Sequence, residues 1–536
     1  MVERKNSTSK WPGWLGGLVF GLGLLGIFAL RILVEWPMAL GFQNFIIRDI
    51  GAFRFVNHLL DMGLRPSIDF GFYYGMLGLL VQRMAFAVFG GSYWTTLGLT
   101  GGFLGLMVIY WWLLVREAGF TWLNFTILLG LYEMMVGLAF SGPTPAHALV
   151  RVLMAYSLLC ALKGKLRLAL VLAGLASLAI PSLPIVLIGL VSAAILLQWW
   201  QAPQRRLRDL AGQFAPAVAV YVLGVLTFIA VFGWRSTLPS LFPVHGMELY
   251  RAINLGFFHA GRSFWYPKDP SISYYLYHEA GIWLFCNVLL VIFGAVSLAR
   301  MIRSRKASGA PLFVFMCCAL HLIFIFRAYG NGGSFIFYEF ILAGGVLVGV
   351  SELTKGRMRV VLSCVILVFG LLSTRYEMGH RRFPWRTWHR SVETAGLYAP
   401  DDFRNEWAPI LKLANSHNLF FLAGGNGAST FFPQVKTPHS WFLLPGVALP
   451  MEDAYVLDQI KKSDVVVEFT SESTWYFDRN VGWHEALAQF PVQLKGSYFR
   501  VWMRNAEDGN ALVQTTDFRP EVYRAEKVKD DPYQPE

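Results

Sequence analysis

The sequence predicts an α-helical multi-span membrane protein, with about 11 spans and two interface helices, that carries a small C-terminal α/β soluble domain. Composition is the first observation behind this: of 536 residues, 55% are hydrophobic and only 15% charged, where an average soluble domain has about 25% charged residues. The second is that apolar runs near the roughly 17 to 25 residues needed to span a bilayer recur from Trp11 to Leu372. The third is a change of texture after Pro400, where mixed polar and apolar sequence replaces the long apolar runs. Together these exclude a disordered chain and a simple soluble enzyme.

The first apolar run, Trp14 to Val34, follows Arg4, Lys5 and Lys10. It is longer than a signal-peptide core and shows no small-residue cleavage site, so it is expected to stay as the first span. Further spans are expected near 93–115, 121–140, 146–162, 166–180, 182–200, 211–233, 280–300, 310–327, 333–351 and 358–374. Four basic clusters mark cytoplasmic connections: Lys163, Lys165 and Arg167; Arg205, Arg206 and Arg208; Arg300, Arg303, Arg305 and Lys306; Lys355, Arg357 and Arg359. The net charge of +12 gathers largely in such short loops, which reads as topology rather than nucleic-acid binding.

Counting back from Lys163 places Ser141 to Pro145 outside and Arg116 inside. One crossing is then too many if 73–90 spans the bilayer. That segment carries Gln82 and Arg83 in its middle, so it is expected to lie at the outer interface. Two long outer loops, about 35–92 and 234–279, and everything from about 376 onward fall outside. Arg375, Arg381, Arg382, Arg386 and Arg390 favour the reverse orientation locally and are outweighed by the four earlier loops. The expected location is the inner (plasma) membrane, multi-pass, with the C-terminal domain periplasmic or extracytoplasmic.

Cys160, Cys286, Cys317, Cys318 and Cys364 all sit in apolar runs, with no CxxC spacing and no nearby histidine pattern, which argues against disulfides and zinc. Three units are expected: a membrane module over 1–375, an outer α/β domain over 376–505 and a polar, mobile tail over 506–536. Within the domain, Leu419 to Ala423, Asp464 to Phe469 and Ser497 to Met503 read as strands, and Asn405 to Ala414 as a helix. Gly424-Gly425-Asn426-Gly427 follows a strand but lacks GxGxxG spacing, so a tight turn is favoured over a nucleotide loop.

The first outer loop is where chemistry concentrates. Arg48 and Asp49 precede a segment in which Arg54, Asn57, His58 and Asp61 recur at helical spacing, a narrow polar stripe suited to an interface helix. By spacing alone Asp49 reads as the cap of this helix. Gly63 to Gly75 then forms a turn-rich passage with Asp69, Tyr73 and Tyr74, which by itself reads as an interfacial aromatic anchor.

An aspartate soon after the first span, a helix, a Gly63-x-x-Pro66 turn, the stretch from Asp69 to Tyr74-Gly75, and an amphipathic helix ending in Phe89-Gly90 come in one order. That order resembles the GT-C superfamily of polyprenyl-phosphate-sugar glycosyltransferases, most closely its protein-mannosyltransferase and aminoarabinose-transferase branch. The resemblance covers about residues 12–162, and the remainder agrees in architecture only. It implies that Asp49 is the active-site aspartate, that interface helices lie near 49–62 and 73–90, and that Asp69 is the second-loop carboxylate. Tyr74-Gly75-Met76-Leu77 stands where the family often has Tyr-x-x-Pro-Pro, and the Asp-Glu pair of some members is absent. Subfamily and substrate stay open at those points.

Sugar transfer from a lipid phosphate needs a base beside the acceptor hydroxyl and groups that stabilise the departing phosphate. Asp49 is the candidate base, and Asp69 a candidate for positioning the acceptor or holding a divalent cation. Arg48, Tyr73 and Tyr74 are candidate substrate contacts beside them. In the second outer loop His259, Arg262 and Lys268 interleave with Phe257, Phe258, Phe264, Trp265 and Tyr266, a composition suited equally to a phosphate head group and to an aromatic belt with snorkelling cations. Arg327, near Tyr329-Gly330-Asn331, is a further phosphate candidate or an interfacial anchor. No metal site or other cofactor is assigned.

The expected partners are a polyprenyl-phosphate-linked sugar donor, the lipid bilayer and an acceptor the sequence leaves unspecified, with no nucleic acid. The alternatives are a transporter or flippase for an envelope lipid or glycolipid, and a non-catalytic scaffold. A transporter would show repeated halves or matching broken spans, and the sequence shows neither. Glu133, His147, Arg151, His321 and Glu339 lie in or near spans without relay spacing.

Overall fold

The computed structural model describes residues 13–39, 41, 49–72, 74–136, 145–241, 279–328, 339–380, 388–423, 426–439, 450–469 and 481–521. The membrane part runs α1 (Gly13–Ala39), α2 (Asp49–Asp61), α3 (Met76–Phe89), α4 (Tyr93–Ala118), α5 (Trp122–Gly130), α6 (Tyr132–Val136), α7 (Pro145–Leu162), α8 (Leu166–Ala179) and α9 (Ser182–Gln201). It continues with α10 (Leu207–Phe232), α11 (Trp234–Leu241), α12 (Glu279–Ser304), α13 (Gly309–Ala328), α14 (Glu339–Leu353) and α15 (Gly356–His380).

Among the described residues, six helices are long and apolar enough to cross a membrane: Tyr93–Ala118, Pro145–Leu162, Leu183–Gln201, Leu207–Phe232, Gly281–Ser304 and Gly356–Ser373. All six fall on expected spans. Trp14–Leu30, Leu166–Ala179, Gly309–Ile323 and Met76–Phe89 are shorter apolar helices. The last has 14 residues; at about 1.5 Å per residue it reaches roughly 21 Å, short of the ~30 Å hydrocarbon core. Helix α10 buries only Phe228 and Phe232 and exposes Val218, Val222, Leu223, Leu226 and Val231. An apolar face of that extent is stable against lipid, not water.

One expected span is divided. The run over 121–140 is broken at Leu131, whose N–H donates to the carbonyls of both Ile127 (2.9 Å) and Leu128 (3.2 Å). The cause is a close crossing: a Cβ on Gly130 would lie 2.5 Å from the Ile366 carbonyl, and one on Gly370 would strike the Gly130 carbonyl. Two glycines thus let the backbones of α5 and α15 touch.

The C-terminal part contains β1 (Trp388–Arg390), β2 (Tyr398–Pro400), α16 (Asp401–Leu413), β3 (Leu419–Ala423), a 3-10 turn (Asn426–Thr430), α17 (Pro450–Lys462), β4 (Val465–Phe469), α18 (Val481–Leu487), β5 (Val492–Lys495), β6 (Phe499–Met503), α19 (Ala506–Thr515) and β7 (Arg519–Pro520). Strands order as β3-β4-β6-β5-β7; β3 and β4 are parallel and the other neighbours antiparallel. Side-chain alternation sends Phe420, Leu422, Val466 and Trp502 to one face, against Val456, Ile460, Trp483 and Leu487. Leu419, Phe421, Val465, Val467 and Phe499 take the other face, with Phe403 and Trp407 of α16, in a core continuous with that of the membrane helices.

The three strands and the helix read from the sequence are present, the helix starting earlier because Asp401 and Asp402 occupy its first turn. Helix α19 and strand β7 carry regular structure past Asn505, where the sequence suggested a tail: Leu512 and Phe518 are buried, and Arg500 Nε donates to Glu521 Oε2 at 2.7 Å. All five cysteines are free thiols.

Candidate active site

Glycine decides how α3 seats. Gly75 N–H donates to the Ala179 carbonyl at 2.8 Å, and a Cβ there would run into the carbonyl oxygen of Leu178. One turn on, a Cβ on Gly78 would lie 2.6 Å from that of Ala146. Only side-chain-free positions let α3 nest against α7 and the end of α8. Just before this dock, Tyr74 sets its ring edge-on to Phe72 (6.1 Å) and to His147 (5.3 Å, 83°). His147 lies in the first turn of α7, and the buried Arg151 follows one turn deeper.

The loop leading to Tyr74 is a tight turn. Ser67 adopts φ 61, a left-handed conformation uncommon for a residue with a side chain, and its N–H donates to the Phe70 carbonyl at 2.8 Å. Asp69 Oδ2 accepts the Arg65 backbone N–H (2.8 Å) and Nε (3.0 Å), while Oδ1 accepts Nη2 (3.4 Å). The side-chain hydrogen bond from Arg65 holds the Asp69 carboxyl below its ordinary value, so it is an anion at neutral pH. A carboxylate facing a guanidinium with both oxygens does not suit a divalent cation. Among the described residues no group of three or more His, Cys, Asp or Glu is placed to hold a metal ion.

Helix α2 starts at Asp49. Phe55, Val56 and Leu59 bury its apolar face. Part of the polar stripe is consumed by packing. Asn57 (2% exposed) donates through Nδ2 to Gln82 Oε1 at 3.2 Å, and Gln82 (0% exposed) donates through Nε2 to Thr96 Oγ1 at 3.4 Å. This buried ladder joins α2, α3 and α4. On the exposed side Asp61 accepts from Arg83 Nη1 at 2.9 Å.

Arg54 points the other way, into the C-terminal part. Its Cζ lies 4.1 Å from the centroid of the Phe431 ring, and Nη2 reaches the Thr430 carbonyl at 3.5 Å. Nη1 is buried without a hydrogen-bond partner. Burial pulls the guanidinium down to about 10, which leaves it charged at neutral pH.

The structure thus sets Tyr74 against His147 and packs α2 against the 3-10 turn. Asp49 opens α2, and the position of its carboxyl lies outside the described residues, as do Arg48, Tyr73, His259, Arg262, Lys268 and the Arg327 side chain. Sequence reading missed the Gln82 ladder, the Tyr74–His147 contact and the partners of Arg54. The only available signal was Gln82 itself, a polar residue in an apolar helix, which reads as water-facing when its amide partners cannot be seen.

No family model and no curated protein matches the chain. Among solved structures, the crystal structure of ArnT from Cupriavidus metallidurans bound to undecaprenyl phosphate matches with a TM-score of 0.51 at 13% identity, over 90% of this chain and 98% of that one. The same protein in the apo state gives 0.46 at 13% identity, over 91% and 99%. At such identity the first of these speaks for architecture alone: the chain has an ArnT-like fold.

Proposed function

We propose that this protein is an integral inner-membrane glycosyltransferase that moves a sugar from a polyprenyl-phosphate donor to an acceptor on the outer side, with inversion at the anomeric carbon. The carrying observation is the fold, shared nearly end to end with ArnT, an aminoarabinose transferase of the GT-C class whose crystal structure holds undecaprenyl phosphate. The residue order from Asp49 to Gly75 supports it independently.

In this reading Asp49 takes the proton of the acceptor hydroxyl, the oxygen attacks the anomeric carbon, and the bond to phosphate breaks with its electron pair leaving on the polyprenyl phosphate. A single displacement inverts the centre. The anionic Asp69, fixed by Arg65, positions the acceptor. Arg48, His259, Arg262, Lys268 and Arg327 are the cations proposed for the phosphate, and Tyr73 and Tyr74 the contacts for the sugar. The C-terminal part is placed in the periplasm or an equivalent compartment by the charge of the earlier loops.

The test is Asp49→Asn in purified, folded protein supplied with a polyprenyl-phosphate sugar. The amide keeps much of the hydrogen bonding of a helix start and removes the basic oxygen. Turnover is expected to fall roughly 100-fold or more, and transfer near the parental rate would overturn the assignment.

A further inference from the structure

The C-terminal part touches the chain on both sides of Asp49. Before it, Gly41 forms an isolated parallel bridge with Tyr398 of β2. After it, Arg54 meets Thr430 and Phe431, 376 residues away at the closer bond. Arg54 lies about 7.5 Å beyond Asp49 along the helix axis. Elsewhere α2 is held by the long, neutral bonds of the Asn57–Gln82–Thr96 ladder and by the exposed Asp61–Arg83 ion pair.

The 3-10 turn that meets Arg54 is itself rooted. Thr430 Oγ1 donates to the Gly427 carbonyl at 2.7 Å, Thr437 Oγ1 donates to Ser429 Oγ at 3.2 Å, and Phe431 N–H donates to the Ala428 carbonyl at 3.0 Å. Phe432 packs on Trp407, ring centroids 5.7 Å apart, so the turn is tied to the core of the sheet. A part-buried guanidinium held by a ring face and a carbonyl has no bidentate lock. Its position therefore follows that of the turn.

We infer that the turn Asn426–Thr430 with Phe431 is a positioning element for the transfer reaction: through Arg54 it sets the placement of α2 and with it Asp49. This gives the C-terminal part a role in turnover and rests on Asp49 being the base. Phe431 and Arg54 are positioning residues, not groups that touch the reacting atoms.

The test is a double-mutant cycle on the full-length enzyme in bilayer nanodiscs, reading kcat and the donor KM separately. Phe431→Leu keeps apolar volume and removes the ring face; kcat is expected to fall about threefold to tenfold, the rate equivalent of a partly desolvated cation–π contact, with the donor KM unchanged. Phe431→Tyr keeps the face and is expected to stay close to the parent. Arg54→Gln combined with Phe431→Leu should be no slower than the slower single variant, because both remove one contact. Losses that multiply, a loss carried by the donor KM, or equal rates for Leu and Tyr at position 431 would each overturn the inference. If Asp49→Asn transfers at the parental rate while the cycle still shows coupling, the base assignment fails and the grip on α2 stands.

Discussion

Asn124 and Gln82 are both fully buried amides at opposite ends of α4, and their surroundings differ. Asn124 is saturated: its Oδ1 accepts from Arg359 Nη2 (3.0 Å) and Ser351 Oγ (2.7 Å), and its Nδ2 donates to the carbonyls of Ala118 (3.2 Å) and Gly119 (2.7 Å). Gln82 has one bond on each side, 3.2 and 3.4 Å long, and both partners are neutral. Short, charge-assisted, complete bonding fixes helices α5, α14 and α15 to one another. Longer neutral bonds hold α2 in register without spending a charge on it, at the end where the proposed chemistry needs charge.

The contrast can be broken in order of expected effect. Asn124→Leu removes four hydrogen bonds, including the charge-assisted one from Arg359, which keeps Thr121 Oγ1, and should lower stability by about 3 kcal/mol, read by denaturation in detergent, while turnover per folded molecule stays unchanged. Gln82→Met removes two weaker bonds and should cost about 1 to 2 kcal/mol, yet lower turnover per folded molecule because α2 loses its mooring. Equal turnover losses in the two variants would erase the distinction. Arg83→Gln breaks an exposed pair with Asp61 and should shift stability by no more than about 0.5 kcal/mol.

The smallest effect concerns pH. Because its carboxyl is held below the ordinary range, the Asp69–Arg65 contact is fully present above the unfolded value of about 3.9 and is lost only as pH falls through the lowered one. Asp69→Asn should then leave the shape of the pH–rate curve between about pH 5 and 8 unchanged. Disappearance of an acid limb in that window would show that Asp69 titrates there.

Legibility in the sequence followed the range of the interactions. Strands β3, β4 and β6 were readable because each is a compact apolar run between turn residues. Strands β5 and β7 were not: β5 alternates only over four residues, and β7 has two, Arg519 and Pro520, which pair solely with β5. The break at Leu131 is hidden inside an unbroken apolar run, since its cause is a backbone crossing with Gly370. At the site, α2 and α3 follow from period and composition. What they touch does not: Asn57 finds Gln82 across 25 residues and Arg54 finds Thr430 across 376, distances over which no periodicity carries information.

Gly75 has a consequence for how the protein is made. Its N–H has its partner at Ala179, a residue that leaves the ribosome more than a hundred positions later, at about 5 to 20 residues per second. Helix α3 therefore reaches the membrane well before the surface it seats against exists. Until α8 has formed, the Gly75 amide has no Ala179 carbonyl to donate to and is left to water. The seating of α3 is a late event in biogenesis, and a chain halted before Ala179 carries its sequence without its arrangement.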